Sequence, residues 1–186
     1  PPGGFAEVFE AQFADWMDVP GTRCLMAGMV GSRQGWVEAD YVPCPCGRDD
    51  FVARLKAVGD ASRKRRDIAI VPGASCVVDG VPDVLRGEEV KAIGALELLG
   101  ADAAIVVSPG THSKWMTIER GRLVGFSTAM TGEFYALLRR HSILARSMPS
   151  ESDDALDTAA FDAGVRRALA ACGLLHTAFG VRTRSL

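Results

Sequence analysis

Apolar positions along the chain fall into short continuous runs and into longer stretches with helical spacing, and the two kinds alternate. Aromatic residues at helical spacing between Phe5 and Trp16, followed by Gly21 as a stop, predict a first amphipathic helix. Further helices are predicted over residues 49–58, 86–99, 132–145 and 154–172, and strands over residues 23–26, 67–71, 103–107, 115–119 and 123–129. This order predicts an α/β fold in which at least part of the sheet is parallel.

A glycine-rich segment and a pair of hairpins stand out from this alternation. Residues 27–36 place three glycines around Ser32 and Gln34, which predicts a loop that suits a ligand. Trp36 ends this segment, where its indole is as well suited to wall a small-molecule pocket as to pack in the core. Residues 103–129 predict three consecutive strands joined by two tight hairpin turns.

The composition fits one domain or parts of two. The chain has 186 residues, of which 48% are hydrophobic, and 21 basic against 23 acidic residues leave a formal charge of −2. The basic block 63–66 is typical of a solvated helix end or loop, so nucleic acid is not a predicted partner. Neither a membrane span nor a signal-peptide pattern is present, which predicts a cytoplasmic location, and a homo-oligomer stays open.

The cysteines favour reduced thiols over a disulfide framework, because their number is odd and they are scattered. Cys44 and Cys46 form the one tight pair, with a single residue between them. Zinc-binding pairs have a longer spacing and need a second pair, so no metal site made by the protein is predicted.

The segment Ser108 to Trp115 carries the clearest chemistry. A Pro-Gly-Thr tip follows an apolar strand, and Gly110 lets the backbone approach a ligand closely. Successive N–H groups, with donors from Thr111, Ser113 and Lys114, would form an anion-binding concavity, which predicts a phosphate site. A plain hairpin turn is the alternative. The P-loop pattern is absent, because no Gly-Lys-Ser/Thr follows and the chain continues as a strand.

Two further segments open helices with polar residues. Glu88 and Glu89 begin the helix after Arg86-Gly87, where they would stabilise the positive end of the helix dipole or supply a base beside a cation. Thr131 and Glu133 begin the helix over 132–145, where capping and an oxygen ligand near the helix start explain them equally well.

In order and spacing, four segments between Cys24 and Met148 resemble the 2-dehydro-3-deoxygalactonokinase family. They are Ala27-Gly28-Met29-Val30-Gly31-Ser32 with Gly35-Trp36, Arg86-Gly87-Glu88-Glu89 with Ile93-Gly94-Ala95, Pro109-Gly110-Thr111-His112-Ser113-Lys114-Trp115, and Met130-Thr131-Gly132-Glu133. The resemblance is specific because four separate motifs agree.

The resemblance implies an actin-like ATPase fold of the ribonuclease H-like class, in which two α/β domains close over ATP and a sugar. Residues 1–99 would be the end of the first, sugar-acid-binding domain, and residues 100–186 the beginning of the second, nucleotide-binding domain. The implied reaction transfers the ATP γ-phosphate, with Mg²⁺, to the 6-hydroxyl of 2-dehydro-3-deoxy-D-galactonate in galactonate breakdown.

The family also implies roles for the singled-out residues. Glu88 would be the catalytic base with Arg86 beside the reacting hydroxyl, and Glu89 stays an alternative base. The phosphate and ATP site would consist of Gly110, Thr111, His112, Ser113 and Lys114. The substrate site would include Gly31, Ser32, Trp36, Thr131 and Glu133.

One departure from the family pattern shapes the expectation for this chain. The family's first phosphate motif and its later adenosine motif are not found in the sequence, so we expect a central part of a longer kinase that has little activity alone. Two alternatives remain: a non-catalytic module that senses a sugar acid or a nucleotide, and a kinase for a related acid such as 2-dehydro-3-deoxygluconate.

Overall fold

The computed structural model describes residues 4–59, 67–148, 157–170 and 173–184, and the basic block 63–66 lies outside them. The chain divides into two units, Pro1–Ala129 and Met130–Leu186. These units are compact bodies of this chain, whereas the predicted boundary after residue 99 refers to the domains of a longer fold and stays a prediction.

The first unit contains short helices between strands, as the alternating pattern predicts. Its helices are α1 (Gly4–Met17), α2 (Arg48–Val52) and α3 (Glu88–Leu99), with one turn of 3₁₀ helix at Met29–Gly31. Its strands are β1 (Cys24–Met26), β2 (Tyr41–Pro43), β3 (Lys56–Ala57), β4 (Ile68–Ile70), β5 (Gly73–Val78), β6 (Val81–Leu85), β7 (Ala104–Ser108), β8 (Ser113–Glu119) and β9 (Arg122–Ala129).

The described strands form three small sheets, with the orders β1-β4-β3, β2-β5-β6 and β7-β8-β9. β1 pairs with β4 and β2 pairs with β5 in parallel, while the remaining neighbours are antiparallel. The α/β class and the partly parallel pairing predicted from the sequence are therefore confirmed. The three consecutive strands predicted over 103–129 are also present, as the antiparallel sheet β7-β8-β9.

β8 is the central strand of its sheet, and its alternating burial turns one of its faces to the core. Met116 and Ile118 point into the core, and Trp115, Thr117 and Glu119 between them are exposed. The same core takes Leu85, Leu96 and Phe126 from β6, α3 and β9, so it joins two of the three sheets to α3. A second cluster, with Phe9 and Ile70, packs α1 against β4. Burying these side chains is the main source of stability for such a unit.

The helix predicted over 49–58 is wrong in its second half. α2 ends at Val52, and Lys56–Ala57 pairs with β4 as strand β3. The backbone N–H of Val58 continues this pairing by donating to the carbonyl of Ile68 at 2.9 Å. Partners distant in sequence thus override the local helical spacing.

The second unit is helical where it is described. It contains α4 (Gly132–His141), a 3₁₀ turn at Ile143–Ser147, α5 (Thr158–Ala170) and α6 (Leu174–Arg184). The predicted helix 132–145 ends early because Ser142 is extended and its hydroxyl accepts from the N–H of Leu144, which starts the 3₁₀ turn. Of the predicted helix 154–172, the structure describes Thr158–Ala170 as α5, and the predicted ends lie outside the described residues. The sequence pattern did not predict α6. No helix in the described part of the chain is both long and apolar enough to cross a bilayer.

Candidate functional site

A cavity of about 620 Å³ in the first unit collects most of the residues predicted to carry the chemistry. Its walls come from the loop after the 3₁₀ turn, from β2, from the end of β6 with the start of α3, and from the turn between β7 and β8. The lining residues are Met29, Ser32, Arg33, Gln34, Glu38, Tyr41, Val84, Leu85, Arg86, Glu88, Lys91, Ser108, Pro109, Gly110, Thr111, His112 and Lys114.

The cavity thus joins three of the sequence segments singled out above. The glycine-rich loop contributes Ser32, the helix start contributes Arg86 and Glu88, and the hairpin contributes Ser108 to His112 and Lys114. These residues are far apart in sequence, and their meeting around one cavity is a property of the fold. Their individual roles in binding and catalysis stay predictions.

The hairpin turn between β7 and β8 forms one side of the cavity. Ser108 pairs with Lys114 in the antiparallel register, so residues 109–113 form the loop between them. The N–H of Gly110 donates to the hydroxyl of Ser113 at 3.4 Å, and Ser113 is buried behind the turn instead of lining the cavity. Neither a left-handed backbone nor a close neighbour requires glycine at 110, since an added Cβ would meet only the carbonyl of His112, at 3.8 Å. The contacts of the turn thus give no steric reason for glycine at this tip, and its role in close approach of a ligand stays a prediction.

Lys114 is held in place by two hydrogen bonds. The residue is only 7% exposed, and its Nζ donates to the carbonyl of Val84 and to the hydroxyl of Thr128, both at 2.8 Å. Asp83 accepts from the Thr128 hydroxyl at 2.6 Å and from the Thr128 N–H at 2.8 Å. The lysine thus brings its charge to the cavity wall through a fixed set of contacts.

The turn between β6 and α3 brings the two glutamates to the helix start. Gly87 has a φ of 108°, which favours glycine, and a Cβ there would come within 3.1 Å of the Cα of Gly28. The N–H of Arg86 donates to Oε2 of Glu88 at 3.1 Å, and the N–H of Gly87 donates to Oε2 of Glu89 at 2.7 Å. Both carboxyl groups therefore bind backbone donors at the positive end of α3.

The two glutamates differ in their surroundings. Glu88 is half-buried and lines the cavity. Glu89 is fully buried beneath the helix, and burial is the main cause that raises the pKa of its carboxyl, although the N–H of Gly87 opposes the shift. Only Glu88 of the pair faces the space in which a ligand would lie.

Arg86 is fixed by a stacked ring and a hydrogen bond. Its guanidinium carbon lies 4.3 Å from the centre of the Tyr41 ring, and its Nη2 donates to the carbonyl of Ala39 at 2.8 Å. A Cβ at Gly31 would come within 3.0 Å of Nη1 and 2.7 Å of the Ile70 side chain. Gly31, which was predicted to bind substrate, is buried and makes room for the arginine.

Trp36, Thr131 and Glu133 are not brought to the cavity wall. The Trp36 ring packs on Phe5 and Phe9 of α1, with centroids 6.5 Å and 5.5 Å away, so the packing alternative describes its contacts. Thr131 stands at the N-cap of α4 and Glu133 in its first turn, both in the second unit. The substrate-binding roles given to these three residues stay predictions.

Sequence reasoning missed several lining residues. Lys91 follows Glu88 by one helical turn, so helical spacing would have placed it on the same face. Arg33 forms an ion pair with Glu38 at 3.1 Å, and Tyr41 lies under Arg86, but no local signal ties these residues to a site. Arg33 lies in the loop after the 3₁₀ turn, which folds back because the N–H groups of Trp36 and Ala39 donate to the carbonyls of Val30 and Gly31.

The cavity wall is rich in positive charge. Four cationic side chains line it, against two carboxylates and one imidazole. With the backbone and hydroxyl donors of the turn, this arrangement suits an anionic ligand, and Glu88 adds an oxygen that can accept a proton.

Comparisons with known proteins agree on one family. A sequence model described as "2-keto-3-deoxy-galactonokinase" matches residues 1–186. A Rhizobium meliloti (strain 1021) protein named "Probable 2-dehydro-3-deoxygalactonokinase DgoK1" is 41% identical over 143 residues, which are 77% of this chain and 46% of that protein. The Escherichia coli (strain K12) protein named "2-dehydro-3-deoxygalactonokinase" is 37% identical over 177 residues, which are 95% of this chain and 56% of that protein.

A solved structure supports the same likeness. "Crystal structure of a putative 2-dehydro-3-deoxygalactonokinase protein from Sinorhizobium meliloti" superposes with a TM-score of 0.81 at 37% identity, covering 90% of this chain and 55% of that one. The chain thus spans about half the length of the curated relatives it matches.

Proposed function

The chain belongs to the 2-keto-3-deoxy-galactonokinase family, and from this membership we propose that the complete protein containing it phosphorylates 2-dehydro-3-deoxy-D-galactonate. The phosphoryl donor is ATP, the acceptor is the 6-hydroxyl, and the products are ADP and the 6-phosphate of the sugar acid. The assignment of the acceptor to this acid is supported by the names of the relatives at 37% and 41% identity.

One observation supports the kinase chemistry most directly: Glu88 and the 108–114 hairpin line the same cavity. Phosphoryl transfer needs a cradle for phosphate oxygens, a proton acceptor beside the attacking hydroxyl, and little covalent chemistry from the protein. The turn residues Gly110 and Thr111 and the ammonium of Lys114 supply the first, and Glu88 supplies the second.

In the proposed reaction, the acceptor hydroxyl lies against Glu88. Its oxygen attacks the γ-phosphorus of ATP, the bond from that phosphorus to the β,γ-bridging oxygen breaks, and the hydroxyl proton passes to Glu88. The turn N–H groups and Lys114 stabilise the negative charge of the phosphate oxygens. Arg86, fixed by Tyr41 and Ala39, holds its positive charge beside the base.

Mg²⁺ enters this proposal as part of the nucleotide substrate. The described residues contain no cluster of three or more His, Cys, Asp or Glu side chains arranged to hold a metal ion. Magnesium in kinases is bound through substrate phosphates and water with few protein ligands, so a cavity of this kind suits MgATP.

The proposal also covers the architecture of the complete protein. An actin-like ATPase fold, with a sugar-acid domain ending near residue 99 and a nucleotide domain beginning near residue 100, is supported by the hairpin and by the α/β sheets. A cytoplasmic location, which the composition favours, belongs to the same proposal.

The test is a phosphorylation assay on the complete protein encoded by the gene, with MgATP and either 2-dehydro-3-deoxy-D-galactonate or the gluconate-derived epimer. We expect ADP release with the galactonate-derived acid and a ³¹P signal at its 6-position. Turnover of the epimer alone would assign a related acid kinase. Binding of either substrate without any ADP release would instead support a sensing module and contradict the kinase.

A further inference from the structure

Behind Lys114 lies a short chain of hydrogen bonds that the sequence motifs do not include. Thr128 of β9 links the ammonium of Lys114 to Asp83 of β6, with distances of 2.8 Å and 2.6 Å through its hydroxyl oxygen. Asp83 is further fixed by two backbone donors at 2.8 Å, the N–H of Thr128 to Oδ2 and the N–H of Val84 to Oδ1. Each carboxylate oxygen of Asp83 therefore has a partner.

The direction of each bond in this chain follows from the groups involved. A carboxylate only accepts, so the single hydroxyl proton of Thr128 points to Asp83. The lone pairs of that hydroxyl are then left to accept from Lys114. A second ammonium proton goes to the carbonyl of Val84 at 2.8 Å, which leaves one of its three donors for the cavity.

We propose that Asp83 and Thr128 are positioning residues that fix the ammonium of Lys114 for a nucleotide phosphate, an inference that rests on the proposed kinase function. A free lysine loses much side-chain freedom when it binds an anion. A lysine already held by Thr128 and Val84 has lost that freedom during folding. Binding of a phosphate then carries a smaller entropic cost. Asp83 acts through Thr128 and touches no substrate.

The location of the network ties it to the phosphate end of the cavity. Lys114 pairs with Ser108 in the register of β7 and β8, and this pair closes the 109–113 loop. Glu88 and Arg86 belong to a different wall, on the β6–α3 turn. We therefore expect loss of the network to affect ATP more than the sugar acid.

A purely structural role is the competing explanation, because the same contacts connect β6, β8 and β9. Such a role would lower stability but would not distinguish between the two substrates. Two measurements therefore distinguish the explanations. One is the ratio of the KM for ATP to the KM for the sugar acid, and the other is whether the effect of a Thr128 substitution disappears when Lys114 is replaced.

The experiment is a double-mutant cycle in the complete protein encoded by the gene, with Thr128→Val, Lys114→Met and the double variant. Thr128→Val keeps the shape of the side chain and removes the hydroxyl. We expect it to raise the KM for ATP about tenfold and leave the KM for the sugar acid within about twofold, the size of one charged hydrogen bond. In the Lys114→Met background the same change should add less than about twofold.

Thr128→Ser is the matched control, because it retains the hydroxyl and should restore the ATP KM. If circular dichroism shows that Thr128→Val does not fold, Asp83→Asn takes its place. The asparagine NH₂ group cannot accept a hydrogen bond, so one of the two backbone N–H groups that now donate to Asp83 loses its acceptor. Equal rises in both KM values, or an unchanged effect in the Lys114→Met background, would refute the positioning role. A wild-type protein that transfers no phosphate to either acid would instead refute the proposed function itself.

Discussion

Two adjacent glutamates in this chain occupy different environments because successive helical residues point in different directions. Glu88 reaches the cavity, and Glu89, about 100° further around α3, is fully buried below it. One oxygen of Glu89 accepts from the N–H of Gly87, and the other has no hydrogen-bond partner among the described residues. Two identical residues at one helix start thus have different surroundings: Glu88 faces the cavity, and Glu89 is buried.

Replacing each glutamate by glutamine should separate these two environments. Glu88→Gln removes the proposed proton acceptor and should lower kcat by at least about 100-fold, with ATP affinity changed little. Glu89→Gln keeps the acceptor for Gly87 and should retain most of the activity. Steady-state kinetics and calorimetric measurement of nucleotide binding check both expectations. The assignment would be contradicted if Glu88→Gln lost nucleotide binding, or if Glu89→Gln showed the larger loss of kcat.

Glu89 should also make stability depend on pH. Burial raises the pKa of its carboxyl above the ordinary value of 4.5, so the unfolded chain loses this proton at lower pH than the folded chain. The free energy of unfolding should therefore fall as pH rises from about 4.5 through the raised folded pKa, by at most about 1.4 kcal/mol per pH unit. Glu89→Gln has no titrating proton at this position. Urea unfolding of both proteins over that pH range should therefore show a difference in the free energy of unfolding that changes with pH. Parallel curves would contradict it.

At the scale of elements, the two hairpin turns of the β7-β8-β9 sheet make different demands on the backbone of their glycines. Gly121 follows Arg120 in a two-residue turn, and both have positive φ, 70° and 51°. Gly110 has no such backbone requirement, and a Cβ there would meet no close neighbour. The sequence alone shows a glycine at both tips and does not separate the two reasons.

Alanine at each position should reveal this difference. Gly110→Ala is expected to keep the melting temperature and to raise the KM for ATP about tenfold, because its Cβ would stand between the turn and a phosphate. Gly121→Ala, the matched control, is expected to cost roughly 1 kcal/mol of stability and to leave the KM for ATP unchanged. Thermal melts and kinetics measure the two effects. A Gly110→Ala enzyme with normal ATP kinetics would favour the plain-turn interpretation.

Elements with a complete local signal were predicted well. α3 has an apolar stripe and ends at Gly100, whose φ of 61° is left-handed, and the structure gives the same end. The β5–β6 hairpin was missed although Asp79-Gly80 between valines is a strong turn signal, and both residues have positive φ. β3 is different, because two residues become a strand only through β4, and no local pattern contains that information.

The same distinction applies to the site. Glu88, Arg86 and the 108–114 hairpin, which line one cavity, were singled out from the sequence because each belongs to a motif with its own chemistry, and their roles stay predictions. Tyr41 was not singled out, because its contact with the site is the stacking under Arg86, 45 residues later in the chain. Side chains that support a site through tertiary contacts carry no sequence signal of their own.

At the scale of the whole molecule, charge is distributed unevenly. The chain has a formal charge of −2, yet the cavity wall holds Arg33, Arg86, Lys91 and Lys114 against Glu38 and Glu88. A concave wall with an excess of positive charge concentrates its field at the opening and attracts anions. A chain with a net negative charge can therefore present a locally positive cavity that suits anions.

Lys91 offers a direct test of this field, because it is exposed, lines the cavity and has no ion pair with any described residue. Lys91→Gln should raise the KM of the anionic substrates about threefold to tenfold at low salt, and the difference should shrink at about 0.5 M salt, where the Debye length is a few ångströms. Lys56→Gln removes the same charge from the exposed strand β3, away from the cavity, and should have little effect. If both variants behave alike, overall charge and not the cavity wall attracts the substrates.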